Sequence, residues 1–149
     1  MPMNEIMRRR RALMVERPWE DTGFDLSGVT DGSSCAHVYD SNAKTLRIYS
    51  TSTGTFRHIY KNFTYDTNYE YLVEYDVLIQ SGTHCFAFAD GNSLATPNTH
   101  GITSSGHVRL LTGTLSRPVY NINMYCTFTT SQNGNCTISN FSIKRRLKK

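Results

Sequence analysis

The chain has 149 residues, 38% hydrophobic and 11% aromatic, the composition of one folded domain and not of a disordered segment. Nothing approaches the roughly 18 consecutive apolar residues a membrane span needs, and arginines stand where the apolar stretch of a secretory signal would follow, so the mature chain is expected to begin near Met1. The net charge of +4 is unevenly spread: residues 1–17 carry +3 and residues 144–149 carry +5, which leaves −4 on the body between them.

Residues 4–17 read as a short basic amphipathic helix with Asn4 as its N-cap. Met3, Ile6, Met7, Leu13 and Met14 recur at helical spacing on one side, beside the run Arg8, Arg9, Arg10, Arg11, of which Arg10 interrupts the stripe. Arg17-Pro18 ends the pattern. A helix of about four turns is marginal alone in water, so it needs something to lean on. A β domain has no folding use for four arginines outside its core, so these residues are expected to dock on another protein. Nucleic acid is the weaker alternative, because phosphate contacts do not require the methionines and leucine.

Residues 18–34 suit a linker that becomes a first edge strand around 24–29. Candidate strands follow at 35–39, 44–51, 56–64, 69–80, 84–89, 107–112, 119–129 and 136–145. The connections are rich in Asp, Asn, Ser and Gly, and most read as hairpins or tight corners. Residues 90–106 are the exception, a polar stretch of 17 residues with the length of a binding loop.

Alternation is clearest in two places. Tyr69, Tyr71, Val73, Tyr75 and Val77 share one face of a strand, opposite Glu70, Glu74 and Asp76, with Leu72 as the apolar exception. Tyr120, Ile122, Met124, Cys126 and Phe128 likewise oppose Asn121, Asn123, Tyr125 and Thr127. The expected fold is an all-β antiparallel β-sandwich of jelly-roll type, preceded by the short N-terminal α-helix. It divides the chain into a docking helix (1–17), a linker with the first edge strand (18–34), and a sandwich with a basic C-terminal tail (35–149).

Catalytic patterns are poor. The five histidines form no HExxH, no Gly-x-Ser-x-Gly elbow occurs, and no glycine-rich phosphate loop precedes a helix. Glu74 and Asp76 have the residue types of glycosidase acids, but two carboxylates two apart on one strand face read as the wet side of a sheet. Cys35, Cys85, Cys126 and Cys136 match no zinc spacing, so no metal and no cofactor are expected. Cys126 and Cys136 flank a turn and could meet across a hairpin, though buried thiols suit a chain that stays in the cytoplasm.

For ligands, Tyr39, Tyr49, Tyr60, Tyr65 and Tyr125 are candidates for an aromatic platform that covers the apolar face of a sugar, most of them core or rim. Asn92, Asn98 and His100 offer polar groups in the long stretch. Three Asn-x-Ser/Thr sequons, at Asn62, Asn135 and Asn140, read as accidental outside a secretory pathway.

From about Leu46 onward the order of features resembles the galactose-binding-like jelly rolls among carbohydrate-binding modules of glycoside hydrolases. The likeness rests on the strand with Phe63, the strand from Tyr69 to Val77, and the closing Cys136-Thr137-Ile138-Ser139-Asn140-Phe141-Ser142-Ile143. Those modules bind sugar with exposed Trp or Tyr, and the only tryptophan here, Trp19, lies in the linker. Separately, Asn4-Glu5-Ile6-Met7 with Arg8 to Arg11 and Ala12-Leu13-Met14 resembles the opening of small structural proteins of phages and prophages. Together the resemblances imply a non-enzymatic virion protein such as a head fibre, decoration protein or tail adhesin, assembled in the bacterial cytoplasm. Its partners would be other virion proteins, further copies of itself and a host-surface glycan. A free carbohydrate-binding module is the alternative, and a nucleic-acid-binding accessory protein a second one.

Overall fold

The computed structural model describes residues 17–32, 34–51, 58–90, 93–112, 119–127 and 134–148, the strand positions 90, 93–100 and 125–127 by their backbone. The docking residues Met3, Ile6, Met7, Arg8, Arg9, Arg10, Arg11, Leu13 and Met14 lie outside them. The described chain is all-β and forms two antiparallel sheets. Its strands are β1 (Glu20–Asp21), β2 (Thr30–Asp31), β3 (Cys35–Asp40), β4 (Thr45–Ser50), β5 (Ile59–Asn62), β6 (Tyr69–Ser81), β7 (Thr83–Asp90), β8 (Ser93–Ile102), β9 (Gly106–Leu111), β10 (Asn121–Thr127) and β11 (Asn135–Leu147).

The first sheet runs β3-β4-β11-β6-β9, with β1 extending the β4 edge along the far half of β11; the second runs β2-β5-β10-β7-β8. The two strands of clearest alternation, β6 and β10, are interior strands of opposite sheets. Their apolar faces meet in the core, where Val73, Tyr75, Ile122 and Met124 have no exposed surface. On the other face of β6, Leu72 is also buried at 4%, with Leu111 and Lys144 as its register partners.

Several expectations need correction. No edge strand spans 24–29; instead β1 pairs with β11 in the first sheet and β2 with β5 in the second, so residues 22–29 cross from sheet to sheet. The stretch 90–106 is no binding loop, because β8 occupies Ser93–Ile102 and pairs with β7 through two register shifts. An edge strand with a bulge and an internal Pro97 satisfies its backbone on one side only and needs no apolar alternation, which hides it from a pattern reading. Of the two expected kinds of junction, hairpins or tight corners, most are corners between sheets. Only β3–β4 and β7–β8 join consecutive neighbours in one sheet, whereas β4–β5, β5–β6, β6–β7, β8–β9, β9–β10 and β10–β11 change sheets. Asn, Asp, Ser and Gly serve a crossing corner as well as a hairpin turn.

That topology removes the hairpin between Cys126 and Cys136, since β10 and β11 lie in different sheets. Cys136 is buried, with its Sγ 3.8 Å from His84 Nδ1, and Cys35 and Cys85 are buried as well. Desolvation pushes the Cys85 thiol up to about 12. The alternation also breaks at the start of β10: Val119 is buried at 1% while Tyr120, placed by the pattern with Ile122, is 61% exposed.

The C-terminal end is strand and not tail as far as Leu147. Arg145 donates to Glu20 at 2.8 Å and stacks over Tyr69, and Arg146 pairs with Glu70 and lies 4.2 Å over the Trp19 ring. Thr22 donates backbone and side-chain hydrogen bonds to the Ile143 carbonyl. Trp19 is therefore not in a free linker; residues 19–22 are fastened to β11 by cation–π, ionic and ladder contacts.

Candidate functional site

Strand pairing builds the outer face of the second sheet from both short and long strands. One row runs Thr30, Tyr60, Asn123, Ala87, Asn98, and the next runs Asn62, Asn121, Ala89, Leu94. No position in these rows carries a formal charge. The edge of this face is fixed by backbone contact: the Gly32 amide donates to the His58 carbonyl at 2.9 Å, and a Cβ on Gly32 would come within 2.5 Å of that oxygen. Glycine is what lets β2 lie this close to β5.

The inner residues Phe86 and Phe88 fill the core, so Cys85, Ala87 and Ala89 must face outward, yet their exposures are only 6%, 0% and 0%. The small side chains of β7 are thus closed off from solvent on this face too. On the far side of β10 from them, at β2 and β5, a cleft of about 520 Å³ is lined by Gly28, Thr30, Tyr60, Lys61 and Asn62. Lys61 does not leave a loose charge there: its ammonium donates to the Asp25 carbonyl at 2.7 Å and pairs with the Asp25 carboxylate at 3.2 Å, over the Phe24 ring. His58, whose ring lies 6.0 Å from that of Tyr60, is held below the ordinary imidazole range by burial.

On this face the side-chain oxygens of Asn121 and Asn123 are buried without a hydrogen-bond partner among the described residues, and Asn123 is only 2% exposed. An unsatisfied buried amide oxygen costs about 1–3 kcal/mol, and folded proteins rarely keep one without a use. In the sequence both asparagines stand opposite the apolar side of β10, with nothing to mark a role. Their polarity alone is what any wet strand face shows, so only their burial singles them out.

Of the sequence candidates, Tyr60 lines the cleft. By register Asn98 shares its row and Tyr125 lies opposite Cys85, the next outward position. His100 falls in the irregular part of β8 before Ile102, and Asn92 lies outside the described residues. The others are elsewhere. Tyr65 is a core residue at 7% exposure, Tyr39 pairs with Leu46 in the first sheet, and Tyr49 lies on the outer side of that sheet with the Arg47 guanidinium 5.0 Å from its ring. Two sheets thus divide the tyrosines that sequence grouped as one platform.

Glu74 and Asp76 are on the outer face of the first sheet, where His107 bridges them, Nδ1 2.8 Å from Asp76 and Nε2 2.9 Å from Glu74. Asn140, at the bulge of β11, donates to the other oxygen of Asp76 at 2.8 Å. Hydrogen bonds to Asp76 and then Glu74 raise the His107 pKa above its ordinary 6.5, and those from Asn140 and then His107 lower that of Asp76 below 3.8. Stabilisation by the His107 proton is therefore present in full below pH 6.5 and lost as pH rises through the raised value, while that from ionised Asp76 is lost as pH falls through its lowered one. A proton NMR titration is expected to give His107 a midpoint above 6.5, moved downward by Asp76→Asn. A wild-type midpoint at or below 6.5 would contradict the bridge.

No protein-family model and no curated protein matches the chain. Among solved structures it is similar to one described as "BiXyn10A CBM1 APO", with a TM-score of 0.51, 10% sequence identity, and coverage of 87% of this chain and 91% of that one. At that identity the likeness speaks for the fold: the sandwich is of the kind found in a carbohydrate-binding module.

Proposed function

We propose that this chain is a non-enzymatic attachment protein whose second sheet binds a glycan on its outer face. The observation that carries the reading is the cleft walled by Tyr60 and Asn62, whose Lys61 ammonium is held by Asp25, on a fold shared with a carbohydrate-binding module. The face of a tyrosine ring can cover the apolar side of a pyranose while amides meet its hydroxyls, and a cleft whose ammonium is already paired asks for no ionic ligand.

Display on a larger assembly, such as a phage virion, is the finer part of the proposal. It is supported by the likeness of residues 4–14 to the opening of phage structural proteins and by the fastening of residues 19–22 to β11, which gives the preceding segment a rigid point of departure. Several copies on one particle would add weak sites by avidity. The nucleic-acid alternative gains little support, because Arg145 and Arg146 are engaged with Glu20, Glu70 and aromatic rings.

A glycan array probed with the full chain tests the binding. Tyr60→Ala is expected to lose about tenfold in affinity for whatever glycan is retained, and Tyr49→Ala, on the other sheet, none. Retention of no glycan, or dependence on Tyr49 in place of Tyr60, overturns the reading. Removal of residues 1–16 bears on display separately, with glycan binding expected to persist and incorporation into particles to fail.

A further inference from the structure

Resting on the glycan-binding reading above, we propose that a second cleft, walled by Tyr39 and Phe141, continues the Tyr60 site, so that the ligand is an oligosaccharide long enough to occupy both. This cleft of about 350 Å³ has Asp25, Leu26, Tyr39, Lys44, Asn140 and Phe141 in its lining. It lies along the stretch of β11 between its pairing with β4, which ends at Ile138, and its pairing with β1, which begins at Lys144. The two clefts share a wall. Asp25 lines the second and Lys61 the first, and the Lys61 ammonium holds the Asp25 carbonyl at 2.7 Å and its carboxylate at 3.2 Å. The Asp25 side chain is 51% exposed and that of Lys61 23%, so this wall is a ridge at the surface that a ligand can cross.

The lining has the chemistry a sugar needs. Tyr39 and Phe141 are half-buried rings packed against the core, with their remaining surface available to cover the apolar side of a pyranose. Lys44 is exposed and its ammonium carries three donors for hydroxyls, while Asn140 is held in place by the bond from its amide nitrogen to Asp76 at 2.8 Å. Lys44 and Asn140, with φ of 55° and 53°, are also two of the three non-glycine residues in the left-handed region among the described residues. Asparagine enters that region readily, but a lysine there is strained where a glycine would not be. Strain of this kind gathers at binding sites, and here it sets a long cationic side chain at the rim of a cleft.

The test titrates the full chain with cello-, xylo- and galacto-oligosaccharides from disaccharide to hexasaccharide. Affinity is expected to rise about tenfold or more with length, as the second cleft is filled. Tyr39→Ala is expected to abolish that gain while leaving disaccharide binding unchanged, whereas Tyr60→Ala weakens binding at every length. Lys44→Gly keeps the readout valid if Tyr39→Ala fails to fold: glycine suits the left-handed backbone, so the Tm is expected to hold or rise while the gain with length shrinks several-fold. Affinity that does not grow with length, or a gain untouched by either variant, overturns the second cleft and leaves the Tyr60 reading standing. Binding lost in Tyr39→Ala but indifferent to Tyr60→Ala overturns the joined site and moves the glycan to the second cleft alone. A chain that binds no glycan of any length removes both.

Discussion

Phe88→Ala is expected to lower the free energy of unfolding by about 3–5 kcal/mol, the range for truncating a fully buried phenylalanine. Phe88 has no exposed surface, and its ring centroid lies 5.5 Å from those of Phe63 and Phe86 and 6.5 Å from that of Tyr65. Phe63 continues the cluster at 5.3 Å to Tyr71, which belongs to the opposite sheet. The aromatic chain therefore joins the two sheets, and alanine would leave a void between rigid strands that cannot close over it. Because Phe88 alternates with Ala87 and Ala89, the void would open on the inner side of β7 only. Urea unfolding measures the cost; a loss below about 1 kcal/mol would mean that Phe88 is not packed as described.

The second large effect lies in a polar inclusion of the core. Tyr75 and His84 have no exposed surface, Tyr75 Oη is 2.7 Å from His84 Nε2, and the rings meet edge to face at 5.5 Å. Tyr75→Phe keeps the ring and withdraws that hydrogen-bond partner from a buried nitrogen, at an expected cost of about 1–3 kcal/mol. His84→Leu similarly deprives the hydroxyl, and adds a change of shape. The double variant is expected to cost less than the two single ones together, because an apolar pair leaves neither group stranded. Strict additivity in a double-mutant cycle would show that the hydroxyl and the imidazole do not depend on one another.

Much of the sandwich was legible because its interior strands are amphipathic. Tyr71, Val73, Tyr75 and Val77 repeat every second residue against Glu74 and Asp76, and burial of one face of a pleated strand requires that period. β8 was missed for the complementary reason: a bulged edge strand makes no such demand on its side chains. The candidate site was half legible. Tyr60 could be picked only as one of five candidate tyrosines, and Asn121 and Asn123 looked like any polar residues on a wet face.

By itself, the sequence determined the all-β class, the two long interior strands and the faces they bury, since apolar periodicity is a local property that every residue carries with it. Tertiary structure alone decided which strands became neighbours, and with them the crossings that separate Cys126 from Cys136, the fastening of Trp19 to Arg146, and the division of the tyrosines between sheets. It also decided that two asparagines on an outward face should be shielded from water. Pairing across tens of residues and burial on a second face depend on the summed packing of distant segments, which no single stretch of chain encodes.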